Sequence, residues 1–106
     1  MDKEIIKRIY DVAIERKSAN PETSYVASLY KKGEDKILEK VGEEAIETIL
    51  AHKSGDKEQI VYETADLWFH SIVALAQKEI DVTEVLHELD RRFGKTGIRE
   101  EPKKPE

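Results

Sequence analysis

The segment 57–78, KEQIVYETADLWFHSIVALAQK, constrains this chain more than any other. At about 100° per residue, Val61, Ala65, Trp68, Ile72, Leu75 and Ala76 form one broad apolar face of a helix. Ile60, Leu67 and Ala74 flank it on one side, and Tyr62, Phe69 and Val73 on the other. The remainder is a strip about 60° wide by the same rotation, and it holds Gln59, Glu63, Asp66, His70 and Gln77. A helix that is apolar nearly all round is a buried one. Carboxylates on it are costly unless something positive meets them, and a divalent cation is a candidate. The competing reading leaves the strip at the solvent edge of a bundle, where unpaired acids usually sit.

A second acidic pair shifts that balance. In KVGEEAIE, residues 40–47, Glu44 and Glu47 are three apart and share a helical face, beside Ile37 and Thr48. Glu63 and Asp66 repeat the spacing. The short connection at Gly55-Asp56 makes the two helices antiparallel neighbours, so the four acids can face one another across the hairpin. Four converging carboxylates without a cation repel and raise one another's pKa values. An all-oxygen set of this kind suits hard Mg²⁺ or Mn²⁺. A di-iron carboxylate bundle competes, but its Glu-x-x-His motif is absent from these two helices.

His70, four after Asp66, has three readings: it orients a ligand, contacts phosphate, or lies in the bundle interior. His52 and His87 read as surface or rim residues. Lys36 and Lys40 lie on the same side of their helix as Glu47, and Arg91, Arg92, Lys95 and Arg99 cluster near the end of the chain. These cations are either a solvated surface, with helix-dipole help for Arg91 and Arg92, or a phosphate site. Acids alone would repel a polyphosphate, whereas metal with Lys and Arg would hold it. Gly42 within a helix costs about 1 kcal/mol relative to Ala, so it points to a close helix contact or to substrate approach.

At 106 residues the chain is one domain. Its net charge of −5 argues against nonspecific nucleic-acid binding. The absence of Cys excludes disulfides, thiolate nucleophiles and zinc–cysteine sites. The N-terminus MDKEIIKRIY lacks the apolar core of a secretory signal. No stretch approaches the ~20 apolar residues of a membrane span, so a soluble, cytoplasmic protein is expected.

Apolar periodicity predicts helices over 2–17 and 34–53, over 57–78, and over 82–93, with a short helix within 24–33 closed by Gly33. The stripe of the 34–53 helix is Leu38, Val41, Ala45 and Ile49; that of 82–93 is Val82, Val85, Leu86, Leu89 and Phe93. Asp56 with Gln59, and Asp81 with Glu84, read as capping boxes. The fold class is all-α: a helical domain over 1–94, ended by Gly94, and a charged, irregular tail over 95–106. One antiparallel neighbour cannot cover an apolar arc of about 300° on the 57–78 helix. A homodimer is therefore predicted, with a four-helix core built from the 34–53 and 57–78 helices of both chains.

These residues resemble the phosphoribosyl-ATP pyrophosphatases, a family of the all-alpha nucleoside triphosphate pyrophosphohydrolases. The superfamily motif, E-x-x-E on one helix and E-x-x-D on the next, appears as Glu44-Ala-Ile-Glu47 and Glu63-Thr-Ala-Asp66. The wider match takes in SYVASLYKKGEDKILEKVGEEAIE at 24–47, YETADLWFH at 62–70 and RRFGKTG at 91–97. The resemblance implies an enzyme that hydrolyses phosphoribosyl-ATP to phosphoribosyl-AMP and pyrophosphate, with Mg²⁺, in the second step of L-histidine biosynthesis. It implies Glu44, Glu47, Glu63 and Asp66 as metal ligands, and Glu43 as a further ligand or water-orienting base. Lys36, Lys40 and His70 match positions that hold phosphate or shape the site, and Arg91 and Arg92 are taken as substrate-binding with them. Water attacks between the α and β phosphates, and Glu47 is the preferred group to polarise it. The family often continues with Ser-Gly and an EKA-like tail; here Thr96-Gly97 and IREEPKKPE follow, so no tail contribution is implied. Two rival functions are a pyrophosphohydrolase of ordinary or damaged nucleoside triphosphates, and a noncatalytic helical dimerisation module.

Overall fold

The computed structural model describes residues 4–93. In chain order the helices are α1 (Ile5–Glu15), α2 (Tyr25–Lys32), α3 (Glu34–Ser54), α4 (Lys57–Gln77) and α5 (Val82–Phe93). Among the described residues there is no strand, and the all-α class holds. A 3-10 turn, Arg16–Ser18, takes up the end of the expected first helix. The predicted start of that helix at residue 2, and the tail over 95–106 with Gly94, lie outside the described residues.

Local chemistry sets the boundaries. The Ser24 hydroxyl accepts the Ala27 N–H at 3.2 Å and starts α2. Gly33, at φ +101°, ends it by donating its N–H to the Leu29 and Tyr30 carbonyls. Gly55, at φ +77°, supplies the left-handed residue that turns α3 into α4, and any side chain there would be strained. Asp56 caps α4 and Asp81 precedes α5, but neither forms the predicted box with its Gln59 or Glu84. The Asp56 carboxylate accepts from the Glu58 N–H at 3.0 Å, and that of Asp81 from the Thr83 N–H at 2.9 Å. Both are two-residue Asx contacts, a turn that Asp side chains make with their own backbone.

The most extensive packing joins α3 to α4 as an antiparallel hairpin, and α1 crosses the same α4. The core has two parts, both on the C-terminal half of α4. Tyr10 and Ala13 of α1 meet Ile72, Ala76 and Val82. Leu29 of α2 and Ile37 of α3 meet Val73. Full burial of a side chain like Leu29, Ile37 or Val73 contributes about 1.5–3 kcal/mol.

Within this one chain, three of the predicted apolar faces lie largely outside the core. On α4, Val61 and Trp68 are 60% and 59% exposed, because α1 and α5 cover only its second half. On α3, the predicted stripe residues Leu38 and Ile49 are exposed, and the face toward the chain's own core is Ile37, Glu44 and Ala51. On α5, Val82 is buried while Val85, Leu86, Leu89 and Phe93 are exposed. Of the two readings of Gly42, close helix contact finds no support within this chain, since a Cβ there would meet nothing within 4 Å. None of the described helices is long and apolar enough to cross a membrane.

Candidate metal centre

The α3–α4 hairpin brings acids together at its middle. Thr48 helps to hold the two helices in register there. Its hydroxyl lies 2.7 Å from the Glu44 carbonyl on α3 and 3.1 Å from the Glu63 carbonyl on α4. Glu44 is the buried member of the cluster, only 7% exposed. Burial, and then the neighbouring Asp66 and Glu63 carboxyls, push its pKa up to about 7. Its nearest described cation is Lys40, with Nζ at 3.7 Å, one turn back on α3. Lys40 is closer to Glu43, at 3.0 Å, and is shared between the two acids.

Side-chain atoms of Glu44, Asp66 and His70 lie within 4.8 Å of one another. His70 is buried, at 3% exposure, and both its ring nitrogens are engaged. Nδ1 lies 2.8 Å from the Asp66 carbonyl oxygen and 3.3 Å from Asp66 Oδ1. Nε2 lies 2.8 Å from the Tyr25 hydroxyl. Tyr25, the first residue of α2, stacks on Phe69 with ring centroids 6.4 Å apart and meets His70 edge-on at 5.7 Å. Burial raises the Tyr25 phenol above its usual range, so it keeps its proton at neutral pH.

The predicted site residues thus fall into groups. Glu44, Asp66 and His70 converge, and Glu63 adjoins Glu44. Glu47 is exposed and lies outside that convergent group. Glu43 is exposed, and its hydrogen bond to Lys40 lowers its pKa. Lys36 pairs with Glu39 at 3.5 Å. Arg91 and Arg92 occupy the last turn of α5, where Arg91 Nε donates to Glu88 at 2.7 Å. His52 and His87 are exposed, as predicted. Sequence reasoning missed Tyr25. Ser24 as an N-cap was the available signal, since it places Tyr25 at the head of a helix; its contact with His70 lies 45 residues away.

Chemically the cluster is incomplete. Mutually repelling carboxyls adjoin a buried, largely desolvated acid, and the acids offer hard oxygens beside the His70 nitrogens. That set fits a hard divalent cation, which would replace proton sharing with direct coordination. An open groove of about 300 Å³ adjoins Asp66, lined by Val61, Tyr62, Ala65 and Phe69.

Comparisons with known proteins find relatives along nearly the whole chain. The family model described as Phosphoribosyl-ATP pyrophosphohydrolase matches residues 6–93. A curated "Phosphoribosyl-ATP pyrophosphatase" of Geobacter metallireducens is 52% identical over 102 residues, covering 96% of this chain and 94% of the relative. The protein of the same description from Geobacter sulfurreducens is 52% identical over 103 residues, covering 97% and 95%. That of Methylococcus capsulatus is 50% identical over 97 residues, covering 92% of each.

Proposed function

The chain belongs to the phosphoribosyl-ATP pyrophosphohydrolase family, and we propose that its α3–α4 carboxylates hold Mg²⁺ for this reaction. The chain is an enzyme that hydrolyses phosphoribosyl-ATP to phosphoribosyl-AMP and pyrophosphate, a step of histidine biosynthesis. The observation that supports the metal reading is Glu44: a buried acid pushed up to about 7 by burial and by acidic neighbours. Such a group is held in readiness for a cation rather than satisfied by the fold.

Glu44, Glu63 and Asp66 are the proposed ligands, with Glu47 completing the set; Mn²⁺ is the alternative ion. When bound, the ion supplies charge neutralisation on the transferring phosphorus and the leaving pyrophosphate. Lys40, already beside the cluster, and Lys36 hold the phosphates, with Arg91 and Arg92 as further cations. His70 shapes the site. Glu47 polarises the attacking water between the α and β phosphates. Glu43 is the alternative base, though its hydrogen bond to Lys40 lowers its proton affinity.

The test is pyrophosphate release from phosphoribosyl-ATP, with ATP and dCTP in parallel, with and without Mg²⁺. Mg²⁺-dependent release confined to phosphoribosyl-ATP is expected. Release from the other nucleotides instead would move the chain to the nucleotide-sanitising branch.

The working form is a cytoplasmic homodimer. Leu38, Ile46, Ile49 and Leu50 of α3 and Val61, Tyr62 and Trp68 of α4 are at least half exposed, which is an unusual amount of apolar surface for one hairpin. A second copy packing its own hairpin there would bury it in a four-helix core and close the groove beside Asp66. Size-exclusion chromatography with light scattering is expected to give twice the chain mass. A stable monomer at micromolar concentration would refute the dimer.

A further inference from the structure

His70 has the obvious look of a third metal ligand, since it lies with Glu44 and Asp66. Its hydrogen bonds argue otherwise. A backbone carbonyl can only accept, so the 2.8 Å contact with the Asp66 carbonyl places the proton on Nδ1. In the neutral ring Nε2 then carries the lone pair, and it accepts from the Tyr25 hydroxyl at 2.8 Å. Coordination through Nε2 would have to displace Tyr25. Coordination through Nδ1 would have to strip the proton and break the bond to the Asp66 backbone.

The same contacts suit a different task. Asp66 Oδ1 lies 3.3 Å from the same nitrogen, Nδ1, so the imidazole bonded to the Asp66 backbone also stands against its carboxylate. Tyr25 is itself well anchored for the other half. Its neighbour Ser24 is the buried cap of α2, and its ring stacks on Phe69. Partners of this kind, one bond behind a ligand, typically set metal affinity by 10–100-fold.

We propose that His70 is a positioning residue for Asp66 rather than a metal ligand, and that the Tyr25 hydroxyl is the lock that holds the imidazole in place. This rests on the metal reading of the cluster given above. It adds α2 to the centre and assigns Tyr25 a role in it.

The experiment is Mn²⁺ binding to the full chain, followed by electron paramagnetic resonance and by spin-echo detection of coordinated ¹⁴N. Three variants discriminate. Tyr25→Phe keeps the ring and removes the hydroxyl. His70→Asn places an amide nitrogen near the Nδ1 position, and His70→Gln places one near Nε2. Expected are saturable wild-type binding without a directly coordinated nitrogen, and roughly tenfold weaker binding in Tyr25→Phe. His70→Asn should match Tyr25→Phe, because it keeps the donor to Asp66, and His70→Gln should bind more weakly than either.

A directly coordinated ¹⁴N in the wild type would overturn the proposal. So would Tyr25→Phe binding as tightly as wild type or tighter, which is what a ligand freed at Nε2 would give. Tyr25 is half-exposed and Phe preserves its stacking, so that variant decides the matter even if a His70 variant does not fold. Absence of saturable Mn²⁺ binding in the wild type would instead refute the metal reading itself, and the positioning role with it.

Discussion

Glu44 on α3 and Asp81 at the head of α5 are both acids beside a lysine, yet their proton affinities move in opposite directions. Asp81 receives the Lys7 ammonium at 2.8 Å, the Thr83 N–H and the Thr83 hydroxyl, and its pKa falls to about 2. Glu44 is buried, shares Lys40 with Glu43, and faces two more carboxyls; its pKa rises to about 7. The first acid is complete as folded: its donors belong to the same chain and tie α1 to the α4–α5 corner. The second lacks enough positive charge among its described neighbours to balance it. A fold tolerates such a group when something outside the chain completes it, so on the proposed reading the frustrated acid belongs to the site and the satisfied one to the scaffold.

The comparison breaks first on catalysis. Glu44→Gln, Glu63→Gln and Asp66→Asn should each lower pyrophosphate release by at least about 100-fold, as loss of a ligand or a group that develops charge in the transition state does. Their apo forms should melt no lower than wild type, since each removes a repelling charge. Near-normal rates in all three would show that the cluster is not the site. Asp81→Asn is the counterpart with the smaller effect. It should leave turnover unchanged and lower the melting temperature slightly at neutral pH. The Asp81 contribution is present above its ordinary pKa of 3.8 and is lost as pH falls through about 2. The gap between wild type and Asp81→Asn should therefore close over that range, and a gap that persisted at pH 2 would contradict the role given to Lys7.

Much of this was legible in sequence because it is local. Helix periodicity, the glycines at 33 and 55 and the acids at 56 and 81 act within a few residues, and they placed all five helices. The two acidic pairs were legible for the same reason, as i,i+3 spacings joined by a short turn. Which acid turns inward was not, because Glu44 and Glu47 share a face and only the docking of α4 separates buried Glu44 from exposed Glu47. The apolar face of α3 misled for a related reason. Apolar residues run round more of that helix than one chain can cover. Periodicity alone cannot tell the face toward the chain's own core, Ile37 and Ala51, from the outward one, Leu38 and Ile49. Tyr25 was illegible because its contact with His70 depends on where α2 comes to rest against α4.

The most direct test of the central claim is thermal unfolding with and without Mg²⁺ at about pH 5 and about pH 8, on wild type and Glu44→Gln. In the apo protein the folded state keeps the Glu44 proton to about pH 7, whereas the unfolded chain releases it near 4.5. Between those values the native state binds more protons, so this group's contribution falls as pH rises. On the proposed reading Mg²⁺ binds the deprotonated cluster and should reverse that trend, adding about 2.7 kcal/mol at a hundredfold excess over Kd. A Mg²⁺-induced rise in melting temperature is expected that is larger at pH 8 than at pH 5 and is mostly lost in Glu44→Gln. A rise that is equal at both pH values, or unchanged in Glu44→Gln, would contradict it.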